Sequence, residues 1–359
     1  MKLRIKIFIS IMTLLLVLTT FSTTTYAWFK INSQASVEGF DFTVVGGEGF
    51  LVSLDGKTYR NDLKKNDILN KIIENYDKEK YVVNDGKLCY VASGQELNNS
   101  QREKILEDEI QMLPLTSTDG ITLKDLNNSV ASTKSGRYYE FSVYFKATSN
   151  KQEDDMTYNI YLNDRTTKLS DGEIVNPTSI KSEDATEVIL RAPMNTFNAD
   201  GSVKSLLEDD AIKVYSSNAL RFSTQDTSLE SPLANIYELS DDSEYEYGSY
   251  ASDYDGEDVE LKKLYSKDLS AMYTYRNNLL GMDTLADLLP SYNSLPKTIR
   301  SLEDENPIIT TVSSGSEAKL VTFRFWLEGW DADCFDGLAK SINVNLTFKA
   351  SKVASASAN

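Results

Sequence analysis

Carboxylates are the abundant reactive side chains of this chain: 54 Asp and Glu stand against 37 Lys and Arg, with no histidine at all. Two acidic runs are closely spaced, Asp253, Asp255 and Asp258, then Asp331, Asp333 and Asp336. Clustered carboxylate oxygens are what a calcium ion takes as ligands. Neither run has the further ligands and the closing Glu of a calcium loop, so both read as solvated acidic loops. Two acids a few ångströms apart would suit glycoside hydrolysis, but spacing singles out no pair here. Without histidine, the helical zinc motif and a Ser or Cys nucleophile with an imidazole base are excluded. A Ser–Lys dyad escapes that objection, yet no motif marks one. The residues point to a protein that is not an enzyme and carries no metal or cofactor.

The N-terminus points to where the chain works. Lys2, Arg4 and Lys6 precede an apolar run from Ile7 to Leu18, broken only by Ser10 and Thr13. A Thr-rich stretch then leads to Thr25-Tyr26-Ala27. A basic start, a short apolar core and a small-x-Ala site form an export signal, residues 1–27, too short to span a bilayer comfortably. The expected location is extracellular or at a bacterial cell surface. Net charge is −17, and the signal carries three bases and no acid, so the mature chain is more negative still. Such a surface repels nucleic acid and anionic lipid. Membrane contact would come only through an uncleaved N-terminal segment.

Strand patterns dominate. Phe40, Phe42 and Val44 alternate with Asp41 and Thr43, and Phe50 to Leu54 follows a Gly-rich turn. Asn84-Asp85-Gly86 joins Tyr81–Val83 to Lys87–Val91 as a hairpin. Tyr139, Phe141, Val143 and Phe145 form one apolar face; Tyr158, Ile160 and Leu162 another. The clearest strands come last. Val321, Phe323, Phe325 and Leu327 oppose Thr322, Arg324 and Trp326, and Ile342, Val344, Leu346 and Phe348 alternate with polar residues. Period-two runs predict one buried and one wet face, hence a mainly β architecture, an antiparallel sandwich of two sheets. No internal repeat stands out.

Helical insertions are expected to decorate it. Ile68, Leu69, Ile72, Ile73 and Tyr76 recur at helical spacing, and Ser100 with Glu103 reads as a capping box before Ile105 and Leu106. Further helices are expected over 261–275 and 284–289. An acidic, Tyr-rich stretch, about 238–260, reads as a solvated insertion. The domain is expected to span 28–350, with 351–359 a flexible tail. Cys89 and Cys334 are the only cysteines; they form either one disulfide or two small buried hydrophobes, alternatives that spacing leaves open.

Cleavage after Ala27 would start the mature chain with Trp28, Phe29 and Ile31. Exposed, these are a hazard; buried in a neighbouring subunit, they anchor an added strand. The stretch Thr25 to Phe29, with Ala35-Ser36-Val37-Glu38-Gly39 and the strand after it, resembles the start of the TasA/camelysin-like secreted proteins of Firmicutes. Phe323 to Leu327, then Glu328-Gly329-Trp330-Asp331, and Ile342 to Ala350 are similar to that family's last two strands. The block Trp326, Glu328, Gly329, Trp330 and Asp331 also resembles a wider group of surface proteins from the same bacteria. The likeness covers only the two ends of the mature chain. It implies a jelly-roll-like β-sandwich, cleavage by a dedicated signal peptidase, and assembly into biofilm matrix fibres by N-terminal strand donation.

The function expected on these grounds is that of a secreted surface or matrix structural protein whose partners are copies of itself or other matrix proteins. The alternative is a surface-tethered adhesin module that recognises carbohydrate or protein.

Overall fold

In the computed structural model the described residues are 40–45, 49–125, 129–148, 156–168, 172, 174–189, 194–197, 203–206, 211–230, 233–240, 298–299, 301–303, 305–329, 334 and 342–353. They are mainly β. Two six-stranded sheets carry the architecture, beside small two-stranded pairs such as β8 (Thr167–Lys168) with β9 (Ile174–Val175), β11 (Thr186–Ile189) with β14 (Ala211–Val214) and β12 (Met194–Phe197) with β13 (Val203–Leu206). The first has the order β18 (Thr310–Ser313), β7 (Thr157–Leu162), β20 (Ile342–Lys352), β1 (Phe40–Val45), β3 (Asp62–Leu63), with β10 (Ser179–Ser182) also on β20. The second runs β17 (Thr298–Ile299), β16 (Ala234–Tyr237), β15 (Leu220–Asp226), β19 (Lys319–Leu327), β6 (Tyr139–Ala147), β2 (Phe50–Ser53). Pairing within both is antiparallel except for β1 with β20 and β16 with β17, which run parallel.

Alternation fixes which face turns inward. On β19, Val321, Phe323, Phe325 and Leu327 are buried, and Phe323 and Phe325 lie in register with Phe141 and Tyr139 of β6. Phe141 stacks on both, at 5.6 and 6.0 Å between centroids. Phe348 of β20 meets Phe145 edge-on at 5.1 Å and Phe323 at 6.0 Å. The two late strands therefore lie in different sheets and touch through their rings across one shared core. Each such side chain removed from water contributes about 1.5–3 kcal/mol.

The wet outer face expected for β19 is corrected. Trp326 is fully buried and Thr322 nearly so. The segment before β6 folds over this face, and Leu115, Leu123 and Tyr138 pack with Ile236 around the indole. Period two reports that a strand has two unlike sides; it does not say what covers the second.

Helix α1 (Lys65–Tyr76) forms where the apolar spacing predicts it, and Ile68, Ile72 and Ile73 are buried in the main core. It is a wall of the core rather than a surface decoration. Helix α2 (Asn99–Asp108) starts earlier than its predicted box. Asn98 accepts from the Gln101 amide and the Gln101 side chain accepts from the Asn98 N–H, both at 2.9 Å, so Asn98 and Gln101 replace Ser100 and Glu103 as the capping pair. The hairpin of β4 (Tyr81–Asn84) and β5 (Lys87–Tyr90) turns through Asp85 and Gly86 at φ 49° and 78°, as a two-residue turn with both centres left-handed requires. At the other end, Ser351 and Lys352 pair with Asn159 and Tyr158, so the strand continues beyond the predicted start of the tail.

Candidate functional site

The seam between the chain's two ends is where the expected assembly chemistry would act. β1 runs parallel to β20 from Phe40 opposite Ile342 to Val45 opposite Thr347, and its other edge meets β3 through Val44 and Val45 only. Trp28, Phe29 and Ile31 lie outside the described residues, a short stretch upstream of β1. On the opposite edge of β20, β10 pairs with Asn345 to Ile342 and β7 with Phe348 to Lys352. Thr347 falls in the gap between them, and side chains take over the ladder there. The Thr178 hydroxyl donates to the Thr347 carbonyl at 2.8 Å, and the Asn163 N–H reaches that carbonyl at 2.7 Å. Thr347 in turn donates its hydroxyl to the Asn176 carbonyl at 2.7 Å. These bonds satisfy backbone groups that a broken ladder would leave buried and unmade.

The block from Trp326 to Asp331 is a structural junction in its described part. The Trp326 indole Nε1 donates to Glu328 Oε2 at 3.2 Å. The Glu328 and Gly329 amides donate to the carbonyls of Ala219 and Leu115, each at 2.8 Å. Trp330 and Asp331 lie outside the described residues. Beside Trp326 in register is Arg221, whose guanidinium is buried and lies 3.2 Å from the Glu238 carboxylate. Arg221 also donates to the Asn218 carbonyl at 2.8 Å. Glu238 opens the stretch expected to be a solvated acidic insertion. It is instead 1% exposed, and Ser240 is buried with it, held to Ser217 and Asn218. A charge run is read from its average, whereas one carboxylate facing a buried guanidinium follows the local pair. Residues 241–260 lie outside the described residues.

A repeated device went unnoticed in the sequence. Residues 52–60, Val-Ser-Leu-Asp-Gly-Lys-Thr-Tyr-Arg, and 116–124, Thr-Ser-Thr-Asp-Gly-Ile-Thr-Leu-Lys, share the spacing Ser-x-Asp-Gly-x-Thr. Each is closed by the same bridge, Val52 with Arg60 and Thr116 with Lys124. In each, the Ser hydroxyl accepts the Gly N–H at 3.0 Å and donates to the Asp carboxylate. In each, that carboxylate accepts the next two amides, Lys57 and Thr58 or Ile121 and Thr122. Burial pushes the Asp55 carboxyl up, but the Thr58 and Lys57 amides and the Ser53 hydroxyl outweigh it and hold the group down at about 2. Asp119 is lowered by the same balance. Gly56 and Gly120 both sit at φ +69°. The turns pack on the two flanks of the second sheet's outer face, Gly56 against Tyr144 of β6 and Gly120 against Ser223 and Ala234. The shared six-residue spacing is the signal that could have revealed them.

Cys89 and Cys334 are both buried, and no disulfide joins them. Among the described residues no group of three or more Cys, Asp or Glu side chains is arranged to hold a metal ion. The runs at Asp253–Asp258 and Asp331–Asp336, like the helices expected at 261–275 and 284–289, lie outside those residues. Among the described residues no helix is long and apolar enough to cross a membrane. Compared with known protein families, with curated proteins and with solved structures, the chain finds no match in any of the three.

Proposed function

We propose that this chain is an exported structural subunit of a bacterial cell surface or extracellular matrix, a jelly-roll-like sandwich that assembles by donating its N-terminal segment. One observation carries this reading. β1 is joined to its sheet through residues about 300 positions away, Phe40 opposite Ile342 at the start of the register. Among the described residues no tight hairpin ties it there; backbone hydrogen bonds to β20, a two-residue contact with β3 and packing against α1 do. A strand held in that way can be supplied by another copy with the same bonds in the same register. Trp28, Phe29 and Ile31, just upstream, would fill pockets on the neighbour and set direction. Export follows from residues 1–27, and the lack of histidine argues against a catalytic role.

Two measurements test it. Intact mass of the protein recovered from culture medium should show loss of residues 1–27. Analytical ultracentrifugation of the mature chain should show a ladder of oligomers that collapses to monomer when Trp28 to Ser33 are removed. An unchanged mass distribution after trimming would defeat strand donation.

A further inference from the structure

A groove on the outer face of the second sheet has the surroundings of a sugar site. Helix α1 packs against β6, and an open cleft of about 430 Å³ is lined by both. That lies in the range of small-ligand sites, about 300–1,000 Å³. Tyr144 and Ser142 of β6, Leu320 of β19, Asn75 of α1, Lys78 in the turn after that helix and Tyr81 line it.

Asn75, Glu74 and Ser142 are held before any ligand arrives, Ser142 by a 2.9 Å hydrogen bond shared with the Thr322 hydroxyl. Gly56 lies against one side of the Tyr144 ring, where an added Cβ would be 3.2 Å from it, so the turn covers that side of the ring. Asn75 donates to the Glu140 carbonyl at 3.0 Å, which sets its amide plane and leaves the amide oxygen as an acceptor. Glu74 is committed on both oxygens, to Lys71 at 2.6 Å and to the Val83 N–H at 2.8 Å. Burial and then the Glu109 charge push the Tyr81 hydroxyl up to about 12, so it stays protonated at neutral pH. Among the described residues Lys78 has no ion-pair partner and is exposed. Of the charged residues that line the groove, Lys71 and Glu74 pair with each other, so the charge left over on the lining is that of Lys78.

We propose that this groove binds an acidic saccharide, with a pyranose ring against Tyr144, hydroxyls on Asn75 and Ser142, and a carboxylate toward Lys78. An aromatic ring beside fixed polar groups favours a ligand with an apolar C–H face and a polar rim, which describes a sugar. Assembly by strand donation is not needed for this, and the two claims fail separately because one is read as binding and the other as mass.

The test titrates a galacturonate disaccharide, and the neutral galactose disaccharide of the same linkage, into the mature chain by calorimetry. The uronate should bind at least about tenfold tighter than the neutral sugar. Tyr144→Ala should weaken uronate binding by about tenfold or more, and Tyr144→Phe by less than about threefold. Lys78→Ala, at an exposed position, should abolish the preference for the uronate. Absence of uronate binding up to about 10 mM would overturn the proposal. So would uronate binding that Lys78→Ala leaves unchanged.

Discussion

Asp55 is the residue whose titration the fold uses most openly. Its carboxyl is held at about 2 against an ordinary 3.8, so it stabilises the folded chain above pH 4. That stabilisation is lost as pH falls from about 4 to 2, because the unfolded chain takes up the proton first. The group is largely exposed, so solvent screening reduces the effect to about 1 kcal/mol. Asp55→Asn should therefore lower urea stability at pH 7 by about 1 kcal/mol and narrow the gap to wild type at pH 2.5; an equal gap at both would refute the assignment. The glycines give a graded comparison. Gly86 and Gly120 both have left-handed φ, but a Cβ at Gly86 meets open space, whereas one at Gly120 comes within 3.0 Å of Ile236 and Ser223. Gly86→Ala should cost about 1 kcal/mol of backbone strain. Gly120→Ala adds packing strain for a total of about 2–4 kcal/mol, a difference visible in thermal denaturation.

Among the elements, the contact of β15 with the end of β16 is the most exposed to a single change. Arg221 and Glu238 are both buried and bind each other at 3.2 Å. Removing one partner strands the other charge away from water, so Glu238→Ala should destabilise by about 3–5 kcal/mol. The double change Arg221→Met with Glu238→Leu should recover most of that, since an apolar pair of similar volume carries no desolvation cost. If the double variant is as unstable as the single one, the buried charge is not the cause. Sequence reading fares unevenly at this scale. Helix α1 and the β4–β5 hairpin were legible because each is specified within a dozen residues, by apolar spacing and by Asp-Gly. The capping pair of α2 was missed because Asn98–Gln101 and Ser100–Glu103 both fit the pattern, and hydrogen bonding in three dimensions chose between them.

For the whole molecule, the two thiols offer a check on how the core closes. Cys89 and Cys334 are buried and not joined by a disulfide. A thiol reagent should find almost nothing in the native protein and two groups after denaturation without reductant; none after denaturation would mean a disulfide forms. The balance between what residues dictate and what folding decides also shows best at this scale. Composition and period-two patterning were sufficient for a mainly β chain and for the inward faces of β6, β19 and β20, since burying alternate apolar residues is a local demand. The acidic charge and the absence of histidine were equally plain in the residues themselves. Only the tertiary structure placed β19 and β20 in different sheets, laid β1 parallel to β20, covered Trp326, buried Glu238 and set two like turns on one sheet face. Those outcomes depend on contacts between residues far apart in the chain. Local periodicity says that a strand needs a partner, and only the packing of the whole core selects which one.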